Sequence, residues 1–146
     1  MQVMAKLSYG SCYFSTPAST TLSAGTPVKA AGTTTTMQLG DFTHSGSNRL
    51  TYTGVTARVF NVAFAGSVTK GSGGSTLAEM YLYKNGTLIP GADVLRLIAN
   101  ASDEGAAAVM CQVSLTTNDY VELWIETDTG DDLTIEAGVL SANVLG

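Results

Sequence analysis

Apolar side chains recur at every second residue along most of this chain, and long helical periodicity is nearly absent. A β-strand points successive side chains to opposite faces, so this spacing restricts the chain to sheets with one buried face. In Ala78–Lys84, Ala78, Met80 and Leu82 share one face, and Glu79, Tyr81 and Tyr83 the other. Val109, Cys111, Val113 and Leu115 alternate likewise, as do Val121, Leu123 and Ile125 against Tyr120, Glu122 and Trp124. In Arg58–Ala65, Phe60, Val62 and Phe64 point one way, while Asn61, Ala63 and Ala65 leave the other face small enough for a second surface to approach. Residues 48–53 and 133–140 add two strands, the latter continuing apolar to Leu145. Leu7–Ser15 and the run Thr33–Thr36 read as further β segments. Asn85-Gly86 suits a type I′ hairpin because both residues tolerate positive φ. The return strand from Thr87 is expected to stop at Pro90-Gly91.

About eight short strands with Gly-rich turns, no internal repeat and no linker predict one all-β domain over residues 1–146, an antiparallel jelly-roll sandwich. A chain of 146 residues buries roughly 68–70% of its unfolded surface and needs neither metal nor disulfide to hold it. Cys12 and Cys111 have no C-x-x-C spacing and read as two buried free thiols, with a single disulfide between them left open.

Charge and chemistry narrow the function classes. Seven Lys and Arg against twelve Asp and Glu, a net charge of −5, argue against a nucleic-acid partner, which requires clustered cations. No window approaches 18 apolar residues, so no membrane partner is expected, and no basic region followed by an apolar run marks a secretory signal. His44 is the single histidine and lies in the polar segment Thr43–Ser47, read as a solvated loop. Ser72 and Ser75 form no nucleophile elbow, and Gly71–Ser75 is a hairpin tip without the helix a phosphate cradle needs. The expectation is a protein with no catalytic residues and no cofactor. Glu126, Asp128, Asp131 and Asp132 crowd one turn and are the weak candidates for Ca²⁺, though their spacing fits no EF-hand and a solvated turn is the plainer reading.

Tyr81, Tyr83, Tyr120 and Trp124 fall opposite the core stripes. Three readings stay open for them: half-packed surface, an oligomer interface, or a platform for a carbohydrate ring. With Asn61, Ala63 and Ala65, the pair Tyr120 and Trp124 make up the candidate self-association residues.

Residues 48–146 resemble the C1q/TNF-like jelly roll. The resemblance rests on the hairpin Leu82-Tyr83-Lys84-Asn85-Gly86 and on the turn Leu115-Thr116-Thr117-Asn118-Asp119-Tyr120-Val121, where Asn118 stands in the family's usual glycine position. The closing strand, Ile135-Glu136-Ala137-Gly138-Val139-Leu140, matches more weakly. The opening Tyr9–Pro17 and the Thr-rich stretch after it look like small structural proteins of tailed phages, several of which are trimeric capsid decoration, or cement, proteins. The resemblance implies a homotrimeric virion structural protein made in the host bacterial cytoplasm. It would bind the phage major capsid protein on the outer capsid surface and stabilise the expanded shell. The alternative it implies is the receptor- or glycan-binding tip of a tail or head fibre. The expected capsid contact is an N-terminal arm, Met1, Gln2, Val3, Met4, Ala5 and Lys6, with the region up to about Thr36 covering the partner unless Leu7–Ser15 is simply the first strand.

Overall fold

Each alternating run forms a strand because burying one face against a second sheet removes its apolar stripe from water. The computed structural model describes residues 6–146; of the arm, Met1–Ala5 lie outside the described residues. The described chain consists of β1 (Tyr9–Pro17), β2 (Ser19–Thr20), β3 (Val28–Lys29), β4 (Gly32–Gly40), β5 (Phe42–His44) and β6 (Leu50–Tyr52). It continues with β7 (Arg58–Lys70), β8 (Thr76–Lys84), β9 (Thr87–Ile98), β10 (Glu104–Leu115), β11 (Tyr120–Thr127) and β12 (Leu133–Val144). The first sheet runs β10-β7-β12-β1-β4, with β2 on β12. The second runs β5-β6-β11-β8-β9, with β3 on β11. All pairings are antiparallel, and the two sheets enclose one core, the sandwich expected from the periodicity.

Phe60, Val62 and Phe64 point inward from β7, as Val109 and Leu115 do from β10 and Met80 and Leu82 from β8. Phe42, Tyr52 and Phe60 interlock, their ring centroids 4.9–5.4 Å apart. Beside them Phe64 lies under Gly66 and Gly138, which face each other across β7 and β12. A β-carbon at either glycine would overlap that ring, so the room for Phe64 comes from the missing side chains. The extra residue Glu136 makes a bulge in β12 that brings Gly138 into this register.

Several sequence expectations change. β1 sits between β12 and β4, so of the two readings left open for Leu7–Ser15 the first-strand one holds, and Tyr9–Pro17 and Gly32–Gly40 are sheet strands rather than a covering segment. Pro90-Gly91 does not end β9; Ile89–Ala92 bulge opposite the single residue Leu82, Gly91 takes φ +77°, and the strand resumes to Ile98. His44 is not a loop residue but half-buried at the end of β5. Both cysteines are free, and Cys111 is only half-buried because β10 is an edge strand. β7 and β12 separate the two thiols, three strand spacings or about 14 Å, against a reach of about 7 Å for a disulfide. Burial pushes the Cys12 thiol up to about 11, Thr34 partly opposing the rise, so both its chemistry and its place are those of a core residue.

Candidate functional site

The two outward sheet faces differ in chemistry. On the first, register aligns Met110, Ala63, Ser141, Ser11 and Gln38 in one row across the five strands. The neighbouring rows are Ala108, Ala65, Val139, Tyr13 and Thr35, and Gln112, Asn61, Asn143, Tyr9 and Gly40. None of these fifteen residues is charged, and Met110 is 65% exposed. Carboxylates enter only toward one end, at Glu104 and Glu136. The candidate residues Asn61, Ala63 and Ala65 stand on β7, between the edge strand β10 and the central β12 of this face.

Tyr120 and Trp124 do not join them. They project from β11 on the opposite sheet, so the five self-association candidates divide between two faces. On that second face Glu122, 2% exposed, is held by Lys29 at 2.7 Å, by Arg49 at 2.9 Å and by the Trp124 indole N–H. Burial works to raise its carboxyl, but the two cations hold it below the ordinary glutamate range. Arg49 also lies 3.9 Å from the centre of the Tyr120 ring. Tyr83 stacks on Trp124 with ring centroids 4.3 Å apart and planes 5° from parallel, and Tyr81 meets Tyr83 edge-on. That stacking covers one face of each ring. Burial, then Glu126 and Glu79, push the Tyr81 hydroxyl well above its ordinary value, and burial raises Glu79 as well.

The acidic turn is committed to holding the protein together. Asp128 accepts the Leu77 N–H at 2.8 Å, and Asp132 accepts the Leu22 N–H at 2.9 Å. Asp131 pairs at 3.1 Å with Lys70, whose side chain is fully buried. That lysine is the cation the turn gathers round, and no three His, Cys, Asp or Glu among the described residues are arranged to hold a metal ion. Glu126 faces outward on β11, away from this turn's hydrogen bonds.

His44 serves the fold in the same way. The Asn48 N–H donates to Thr34 Oγ1, which leaves the Thr34 hydroxyl to donate to His44 Nε2 at 2.7 Å; the Gly46 N–H also points at Nε2. Nε2 is therefore the acceptor nitrogen, and Nδ1–H meets Thr36 Oγ1 at 2.9 Å. Burial holds this imidazole below its ordinary value. Neither ring nitrogen has a carboxylate partner among the described residues, and Asp41 is engaged by Lys6 and Ser8. The imidazole thus lacks the orienting acid that a hydrolytic triad uses.

The two turns that carry the family resemblance lock each other. Asn85 and Gly86 have φ +51° and +76°, the type I′ geometry, and Asn118 takes the left-handed φ of +73°. Asn85 donates to Asp119 at 2.7 Å and accepts the Tyr120 N–H, and Lys84 pairs with Asp119. Burial opposes the charge on Asp119, yet the Thr116 N–H, Asn85 and Lys84 bring its carboxyl down to about 2. Solved structures share the overall two-sheet sandwich. The Eiger TNF of S. frugiperda superposes with a TM-score of 0.60 at 8% identity, covering 97% of this chain and 94% of that one. Murine APRIL at pH 5.0 gives 0.57 at 6% identity, and at pH 8.0 gives 0.55 at 7%, each covering 94% of this chain and 99% of that one. The fold is a TNF-like jelly roll. No family model matches the chain, and no curated protein matches it in sequence.

Asn48 is a residue the sequence reading missed. It was expected to start a strand, but with φ +55° it lies before β6, fully buried, and its side-chain amide bridges a break in the second sheet of the TNF-like jelly roll. β11 pairs with β3 at Trp124 and Ile125 and with β6 at Tyr120 and Val121, and between them Leu123 has no strand partner on that side. Asn48 Oδ1 accepts the Leu123 N–H at 2.9 Å, and Nδ2 donates to the carbonyls of Leu123 at 2.8 Å and Ala30 at 3.3 Å. The amide replaces a missing peptide unit. Asn-Arg after Ser-Gly-Ser is the only local signal, a left-handed-tolerant residue at a turn.

Proposed function

We propose that this protein is a non-enzymatic structural component of a tailed-phage particle, a homotrimer that decorates the outer capsid surface by binding the major capsid protein of the expanded shell. The observation that carries the proposal is the uncharged outward face of the first sheet. Burying charge is costly, and stable interfaces are depleted of it at their centre, so three adjacent rows without a charged side chain favour a second protein surface. Ala63, Ala65 and Ser141 let that surface approach the backbone closely. A second copy is the occupant, with three copies closing a ring about one axis. The capsid half of the proposal draws on the likeness of Tyr9–Pro17 to phage structural proteins. Its mechanism is linkage: contacts offered only by the expanded shell stabilise that state in proportion to their differential affinity.

Light scattering should return a mass near three times 15.1 kDa. Ala65→Glu should yield a folded monomer, because it places a charge within the uncharged face. A wild-type monomer at micromolar concentration refutes the trimer. Immunogold labelling on the shell supports decoration, whereas labelling of the tail moves the protein to a fibre. Deleting Met1–Lys6 should leave a trimer that co-sediments more weakly with undecorated shells, and full-strength binding would exclude the arm as the contact.

A further inference from the structure

The outward face of the second sheet carries three carboxylates that the proposed trimer does not use. Glu126 stands directly opposite Glu79 across β11 and β8, and Asp93 stands opposite Tyr81 across β8 and β9. Like charges directly opposite on paired strands destabilise the pair. The ion pairs among the described residues take Lys6, Lys29, Arg49, Lys70 and Lys84 to other acids, so none reaches Glu79, Asp93 or Glu126. The same face is apolar around these charges. The stacked Tyr83 and Trp124 adjoin them, and Leu95 and Leu97 on β9 are each more than half exposed.

We propose that this face docks a basic segment of a partner polypeptide, whose Arg or Lys heads meet Glu79, Asp93 and Glu126 while their aliphatic stems lie along Leu95 and the aromatic rings. Charge complementarity selects this occupant. A like-charge pair whose neighbouring donor, the Tyr81 hydroxyl, is neutral still gains from an incoming cation, and a bare metal ion finds no three-ligand arrangement here among the described residues. Long cationic side chains cover apolar surface with their methylene stems, and guanidinium groups associate with aromatic rings. A neutral glycan would gain from the rings but leave the Glu79–Glu126 repulsion in place. The net charge of −5 steers a basic partner toward the protein. The inference is independent of the trimer, whose proposed contact lies on the other sheet.

Trp124 is the single tryptophan, so intrinsic fluorescence reads this face directly. The full chain is titrated with a synthetic peptide of alternating Arg and Leu, with its Glu-Leu counterpart, and with a neutral chito-oligosaccharide. The expected result is a saturable change with the Arg peptide alone, weaker at higher salt and at least tenfold weaker in the double variant E79Q/E126Q. That variant relieves a repulsion and should fold at least as stably as wild type, which a urea titration checks. The variant E104Q/E136Q removes the same charge from the outward face of the first sheet and should bind the Arg peptide like wild type. No response to the Arg peptide at millimolar concentration overturns the proposal. So does equal weakening in E104Q/E136Q, which reduces the effect to net charge, and so does saturation by the oligosaccharide alone.

Discussion

Replacing Asn48 tests whether one buried amide closes the break in the second sheet. Asn48→Ala leaves the Leu123 N–H without its acceptor and takes one donor each from the Leu123 and Ala30 carbonyls. The Leu123 carbonyl keeps the Ala30 N–H at 3.0 Å, so it is not stripped completely. An orphaned N–H and one under-satisfied carbonyl cost about 1–3 kcal/mol each. Alanine at φ +55° adds about 1 kcal/mol of backbone strain that asparagine largely avoids. The sum is roughly 3–7 kcal/mol, a large part of a typical domain's stability. Two further variants separate the contributions. Asn48→Gly removes the strain but not the orphaned groups, so it should recover only a minor part of the loss. Asn48→Asp keeps the acceptor for the Leu123 N–H but turns a second oxygen toward two carbonyls. Its folded-state pKa is therefore raised, and its stability deficit should shrink as the pH falls and the carboxyl protonates. Urea unfolding at fixed protein concentration supplies the measurement. With a slope of about 2 kcal/mol/M, the alanine midpoint should fall by roughly 1.5–3.5 M. A loss of less than about 1 kcal/mol in Asn48→Ala, or full recovery in Asn48→Gly, would refute the bridging role.

Three further outcomes are expected. His44 has a lowered folded pKa because burial disfavours its charge, so its contribution is complete above the unfolded value of 6.5 and is lost as the pH falls below it. Urea stability should decline from pH 7 toward 5, and His44→Gln should flatten that segment; an unchanged slope would dismiss the histidine as its source. Asp131 is held low by Lys70, so Asp131→Asn should destabilise the fold more than Lys70→Met, since only the former leaves a buried, unpaired ammonium. Equal or reversed losses by thermal unfolding would contradict that order. The double variant C12A/C111A should fold with only a packing loss at Cys12, and wild-type unfolding should be indifferent to reductant, because both thiols are free and far apart. A midpoint that moves with dithiothreitol would prove otherwise.

The sequence by itself determined the central strands β7, β8, β10 and β11 and which side of each faces the core. Phe60, Val62 and Phe64, or Val121, Leu123 and Ile125, needed nothing but period-two alternation to be assigned inward. It also determined the Asn85-Gly86 and Asn118 turns, because left-handed backbone selects Asn and Gly locally. Only the tertiary structure decided which strands are neighbours. Strand pairing depends on partners far apart in the chain, so sequence could not tell that Ala63 and Trp124 belong to opposite faces. The same holds for Glu126 opposite Glu79, Lys70 beside Asp131 and the threonines around His44. Asn48 is the sharpest case. Its role exists only because Leu123, 75 positions away, falls at a break between two short strands, and no local pattern records a hydrogen bond that is missing elsewhere.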